Sequence, residues 1–187
     1  MINTTRLLYF REVIGCRPGS LYPKKMSLFP EYDKGTTTPS VRKKRLPVVS
    51  IRMVRDGSLP YNTKAIKSPK DAGDLLRNFI EDTDREHFVE ICLNTKNEPI
   101  MIHTVSIGTL NSTSVHPREV FKIAILSNAA SIILGHNHPS GNPDPSEDDI
   151  NVTRRLLSAG EILGITILDH IIIGSDKHCS LKEMGLL

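Results

Sequence analysis

Tryptophan is absent from the 187 residues, and aromatic residues make up only 5% of them. Any core must therefore be built mainly from Ile, Leu and Val. No stretch approaches the ~20 consecutive apolar residues that a membrane helix needs, so no membrane partner is expected. Residues 1–19 carry Arg6, Arg11, Glu12 and Arg17 among their apolar side chains, which breaks up a signal-peptide core. Cysteine is scarce. Cys16, Cys92 and Cys179 are odd in number and far apart. No disulfide framework follows, and the reading is a cytoplasmic protein in a reducing compartment.

What is present begins with an uneven charge. The net charge is +3, with 39% hydrophobic and 24% charged residues. Residues 1–46 hold ten Lys or Arg against three Asp or Glu, whereas the remainder holds 14 against 18. The basic excess thus belongs to the leading arm. This arm contains Leu7-Leu8-Tyr9-Phe10, which suits a short helix, then Pro18, Pro23, Pro30 and Pro39 and the run Arg42-Lys43-Lys44-Arg45. Such composition reads as a flexible segment with a solvated basic tail. It offers the only basic patch for a nucleic-acid partner, because the body is net acidic and opposes phosphate binding.

From Pro47 the pattern sharpens, and three regions are expected: a basic arm over 1–46, a leading strand and linker over 47–64, and a folded domain over 65–187. Val48 to Val54 alternates as a strand. Ser68-Pro69 opens a helix running to about Asp82, with Ser68 as its cap and Leu75, Leu76, Phe79 and Ile80 on one face. Phe88–Asn94 and Ile100–Gly108 form a hairpin about a turn at 95–98. His116-Pro117 opens a second helix with Val120, Phe121, Ala124 and Ile125 inward. Ser131–Leu134 is a short buried strand. A third helix runs from Ser146 to about Ala159, bearing Ile150, Val152, Leu156 and Leu157. Ile165–Ile173 and Lys177–Leu181 are the last strands. Hairpins without strict β–α alternation predict an α/β fold with helices on a mixed sheet, not a doubly wound parallel one.

The chemistry concentrates in His136-Asn137-His138-Pro139-Ser140-Gly141-Asn142-Pro143-Asp144-Pro145-Ser146-Glu147-Asp148-Asp149. Two histidines two apart on extended chain project to the same side. That geometry suits one metal ion between two imidazoles. Asp149, in the first turn of the third helix, can supply a third ligand. Two His and one carboxylate leave a fourth position open, which is the pattern of a catalytic zinc rather than a closed structural one. Simpler roles compete for the same residues. Ser146 with an acid three positions on also makes a helix cap, and Asp149 near a helix N-terminus is favourable through the dipole alone.

The joint pattern H-x-H-x7-S-x2-D, filled by His136, His138, Ser146 and Asp149, resembles the JAMM signature of MPN-type metalloproteases. TKNEPI, SIGTLNSTSVHPREVFK, HNHPSGNPDPSEDDI and LDHIIIG resemble one bacterial branch, the RadC family, long labelled DNA repair proteins. The resemblance covers roughly residues 65–187. It implies a JAMM/MPN-like, cytidine-deaminase-like curved mixed sheet flanked by helices, with one zinc at its edge. It implies zinc ligands at His136, His138 and Asp149, and a Ser146 that stabilises the oxyanion or the metal-bound water. It further implies an upstream glutamate as general acid/base, which matches Glu86. Glu90, four residues further along and so on the same strand face, and Glu119, just after His116-Pro117-Arg118, are rivals. Glu90 would ordinarily be an exposed strand residue, and Glu119 would ordinarily serve a helix N-terminus. His170, in Asp169-His170 on an apolar strand, is either a core histidine or an outer partner of the metal site. Cys92 reads as a small buried apolar residue.

The activity implied is a zinc-dependent peptidase or isopeptidase, in which zinc activates water against a peptide-type carbonyl of a peptide or protein substrate. The alternative is a DNA-associated repair or mobile-element factor whose metal site is structural or non-proteolytic. Relatives of this family usually carry an N-terminal region resembling a helix-hairpin-helix. Residues 1–46 show no pair of amphipathic helices around a Gly-rich hairpin, which weakens the alternative. No oligomeric state follows from the sequence.

Overall fold

A computed structural model describes residues 45–62, 64–80, 83–108 and 115–187. The expected short helix at Leu7–Phe10 and the basic run up to Lys44 lie outside the described residues. Residues 45–50 and 51–187 fall in separate units, and all the described helices and strands belong to the second.

The segment Val48–Val54 is not a strand. Among the described residues it has neither of the two things a strand requires, a ladder partner and a face to bury. Val48, Val49, Ile51 and Val54 are 98%, 80%, 74% and 81% exposed. The first regular element is helix α1, Pro69–Ile80. Asp71 accepts from the Ser68 amide at 3.0 Å while the Ser68 hydroxyl accepts from the Asp71 amide at 3.3 Å. This reciprocal box satisfies two amides that have no partner inside the helix. Strands β1 (His87–Leu93) and β2 (Pro99–Ile107) form the expected hairpin. Helix α2, Pro117–Leu126, starts at a proline in first position, with the His116 ring accepting from the Arg118 amide. Ile125, expected inward, is 53% exposed. On a 3.6-residue helix it lies about 40° beyond Phe121, past the edge of a stripe centred on Val120, Phe121 and Ala124.

Strand β3 runs Ser131–Asn137 and is buried throughout, three residues longer than its apolar run suggests. Helix α3, Glu147–Leu163, outlasts the expected end at Ala159. Gly160 does not break it, because the missing Cβ is a packing feature: a Cβ there would stand 2.6 Å from the Ile165 carbonyl oxygen. The helix stops instead at Gly164, whose φ of 69° is the left-handed cap that glycine takes without strain. Strands β4 (Thr166–Ile173) and β5 (His178–Ser180) complete the chain.

The sheet order is β2-β1-β3-β4-β5. Strand β1 is antiparallel to both neighbours, β3 and β4 are parallel, and β5 returns antiparallel. The sheet is therefore mixed, as expected. Alternation along β1 divides the core. Phe88 and Cys92 pack with Val120, Phe121, Val152 and Leu156 of α2 and α3. Val89, Ile91 and Leu93 pack with Leu75, Leu76 and Ile80 of α1 on the other face. Aliphatic side chains dominate both layers, as the shortage of aromatics requires. No described helix is long and apolar enough to cross a membrane.

Candidate metal centre

The site forms where β3 ends between β1, β4 and the start of α3. His136 is the penultimate residue of β3. Its partner on β1 is Phe88, whose ring stacks on the imidazole at 6.1 Å between centroids and 13° between planes. His138 lies just past the strand, where its amide donates to the Ile173 carbonyl at 2.9 Å and carries the parallel pairing one step further. The loop that follows is held against the β4–β5 turn by the Ser175 amide, which donates to the Gly141 carbonyl at 3.0 Å. Gly174 allows this approach, because a Cβ there would meet that same oxygen at 2.4 Å. The loop then delivers Asp149 into the first turn of α3, where it is 2% exposed.

His136, His138 and Asp149 converge, with one potential ligand atom from each lying within 4.8 Å of the others. The two Nε2 atoms are 3.0 Å apart. Asp149 Oδ1 is 3.3 Å from His136 Nε2 and its Oδ2 is 3.5 Å from His138 Nε2. Ligand bonds of ~2.0–2.1 Å at tetrahedral angles place donor atoms about 3.3–3.4 Å apart, so this triangle has the right dimensions for one ion. The chemistry of the donors agrees. His138 Nδ1 lies 2.7 Å from the Asn142 carbonyl oxygen, which can only accept. In a neutral ring the proton therefore sits on Nδ1 and the Nε2 lone pair faces the cluster. The residues present fit a divalent cation.

A family model described as RadC-like JAB domain matches residues 66–186. This chain belongs to the RadC-like JAB domain family. Curated relatives agree. A UPF0758 protein of Desulforamulus reducens is 54% identical over 134 residues, which are 71% of this chain and 59% of that protein. A UPF0758 protein of Moorella thermoacetica is 56% identical over 122 residues, 65% of this chain and 53% of that protein. One from a Geobacillus strain is 53% identical over 132 residues, 70% and 58% respectively. The chain thus spans somewhat more than half the length of these relatives. The His-His-Asp cluster lies wholly inside the segment that matches the RadC-like JAB model.

Electrostatics within this RadC-like centre follow from burial and mutual contact. Burial, then the neighbouring His170, hold the His136 imidazolium well below its usual range. A hydrogen bond to Asp149 raises His138, and the nearby Glu86 adds to that rise. Burial alone would push the Asp149 carboxyl up. Its bond with His138, the charge of His136 and two bonds from Ser146 outweigh this and hold it well below the carboxylate range. Those two bonds run from the Ser146 amide at 2.7 Å and its hydroxyl at 2.6 Å, both to Oδ2. The Asp149 amide in turn donates to Ser146 Oγ at 3.2 Å. Ser146 thus makes the helix cap and stands at the rim of the metal cluster at once.

Glu86 is half-buried at the head of β1, close enough to favour the charged form of His138. Its placement depends on Asn137, which the motif reading passed over as the spacer between the two histidines. The Asn137 side chain accepts from the His87 amide at 2.8 Å and donates to Thr83 Oγ1 at 3.1 Å and the Arg85 carbonyl at 2.9 Å. It ties the 83–87 segment to the end of β3.

The rivals lie elsewhere. Glu119 sits in the first turn of α2 and pairs with Lys122 and Arg118. Glu90 is not the exposed strand residue expected of it. It is completely buried, because β1 is the second strand of the sheet and this face lies against the helices. Its partners in register are Leu134 on β3 and His103 on β2. Burial pushes its carboxyl above the usual range, partly offset by His103. Cys92 is fully buried, and burial pushes its thiol up to about 12. His170 is a core histidine that also contacts His136. It is a fully buried core residue, and its Nε2 lies 2.9 Å from His136 Nδ1. Burial lowers it to about 4. Thr153, which no motif singled out, contacts His170 Nδ1 at 2.6 Å.

Proposed function

We propose that the chain is a zinc-dependent peptidase or isopeptidase-type hydrolase acting on a peptide or protein substrate. The observation that carries this reading is the convergence of two imidazole nitrogens and one carboxylate on a point beside Glu86. His136, His138 and Asp149 would hold the ion. Zinc bound by such a set supplies a water acidified to a pKa near ~7 and a Lewis acid for a carbonyl oxygen.

The chain's own groups do the rest. Glu86 takes the proton of the attacking water and returns it to the leaving amine. Asn137 holds the backbone on either side of Glu86 and so aims its carboxylate. The Ser146 hydroxyl turns from Asp149 Oδ2 to the developing oxyanion, while the Ser146 amide keeps its bond to the carboxylate. Phe88 and the apolar floor around His136 keep bulk water from the inner side of the cluster, which strengthens each electrostatic contact there.

The test is hydrolysis of a peptide and isopeptide library by zinc-loaded protein, beside Glu86→Gln. Cleavage by the parent, absent in the variant at equal zinc content, supports the reading. Cleavage undiminished in the variant removes Glu86 from it.

A further inference from the structure

We propose that Thr153 and His170 form a proton-ordered relay that fixes the tautomer of His136, leaving its Nε2 as a bare donor facing the metal cluster. Both are positioning residues, and the inference deepens the metal-centre reading on which it rests.

The relay runs from α3 through β4 to β3, and every member is fully buried. Thr153 Oγ1 lies 2.6 Å from the Asp149 carbonyl oxygen and 2.6 Å from His170 Nδ1. A hydroxyl has one proton, and a carbonyl has none to give. The Thr153 proton therefore goes to Asp149, and toward His170 the hydroxyl can only accept. His170 Nδ1 must carry a hydrogen. The His170 ring is wholly enclosed and its two nitrogens face Thr153 and His136, so the ring is neutral and its Nε2 is bare. His136 Nδ1, 2.9 Å from that bare nitrogen, must then be the donor. The neutral His136 ring has only one N–H, so its Nε2 keeps a lone pair, and this atom points at His138 and Asp149.

One threonine hydroxyl thereby serves two ligands. It orders the protons behind His136, and it ties the backbone carbonyl of Asp149 to the same buried point. Outer partners that fix a ligand histidine in this way typically contribute 10–100-fold to metal affinity, as an order of magnitude.

The experiment is long-range proton–nitrogen correlation spectroscopy of the nitrogen-15-labelled, metal-free protein near neutral pH, joined to zinc competition against a coloured chelator. The expected result is that His136 and His170 are both protonated at Nδ1 and bare at Nε2. Thr153→Val should disturb that pattern and weaken zinc binding by roughly 10–100-fold. Thr153→Ser should keep both. A wild-type His136 protonated at Nε2 overturns the relay, as does a folded Thr153→Val with unchanged tautomers and zinc affinity. The spectra need no metal and no variant, so the two readings fail separately. The expected tautomers without zinc uptake would sink the metal centre and spare the relay. Tight zinc binding with reversed tautomers would do the opposite.

Discussion

His136 Nε2 and His138 Nε2 face each other at 3.0 Å, and the other nitrogen of each ring is already engaged, with His170 and with the Asn142 carbonyl. Without a metal, a proton on His138, whose charged form Asp149 favours, can bridge the two nitrogens; a divalent cation held by both and by Asp149 would take its place. A bound ion should stabilise the fold as well as serve chemistry. Zinc at a hundred times its dissociation constant is expected to add about 2.7 kcal/mol. Thermal unfolding with zinc and with excess chelator measures this, and an unfolding midpoint indifferent to both would refute it.

The proposed mechanism gives Ser146 a second duty beside its observed helix cap. Ser146→Ala should lower hydrolysis by ~10²–10³-fold through loss of an oxyanion donor. It should also destabilise the fold by about 1 kcal/mol through loss of the α3 cap. Ser146→Gly has no hydroxyl donor but, as a cap, gives up only a few tenths of a kcal/mol, as an order of magnitude. If the roles are assigned correctly, it recovers most of the stability and none of the rate. Denaturant unfolding and turnover on one peptide substrate separate the two.

Asn137 should act on Glu86 without touching the ion. Asn137→Ala leaves the part-buried 83–87 segment short of three hydrogen bonds. A loss of about 1–3 kcal/mol is expected from the unsatisfied groups. Zinc content should be unchanged while kcat falls. A variant that loses zinc in proportion to activity would place Asn137 in the metal shell instead.

How far the sequence foretold this arrangement depends on whether a signal is local. The helix start at Ser68-Pro69, the hairpin about residues 95–98 and the three cluster residues rest on short spacings, and they fold as those spacings suggest. The seven-residue strand at Val48–Val54 was lost because alternation cannot report whether a partner strand arrives. The sequence suggests an exposed Glu90, because a charge on an alternating strand usually faces water. Its burial depends on which face the helices cover, a tertiary fact. Thr153 could not be found from pattern, since its contact with His170 joins residues 17 apart through the packing of α3 on β4. A buried threonine four residues after a candidate ligand was its only trace.

Glu90 yields a pH prediction. Both its oxygens are buried without a hydrogen-bond partner, and its 3.3 Å approach to His103 Nδ1 lies outside hydrogen-bond geometry. Its folded carboxyl titrates above the ordinary 4.5. The folded state thus keeps a proton that the unfolded chain has already released. The contribution to stability is fullest below the unfolded value and is lost as pH rises through the folded one. Glu90→Leu should therefore stabilise the protein by about 1–3 kcal/mol at neutral to alkaline pH, with the gain shrinking as pH falls through the raised folded value and smallest below about pH 4.5. Urea unfolding of both proteins across that range checks it, and a gain that grew toward acid would contradict it.

The most direct measurement is the zinc content of the purified, zinc-supplied protein by elemental analysis, beside His138→Ala and Asp149→Ala variants shown to be folded by circular dichroism. One zinc per chain in the parent and none in either variant is the predicted result. A parent without zinc, or an Asp149→Ala variant that retains it fully, would contradict the metal centre on which the proposed hydrolase rests.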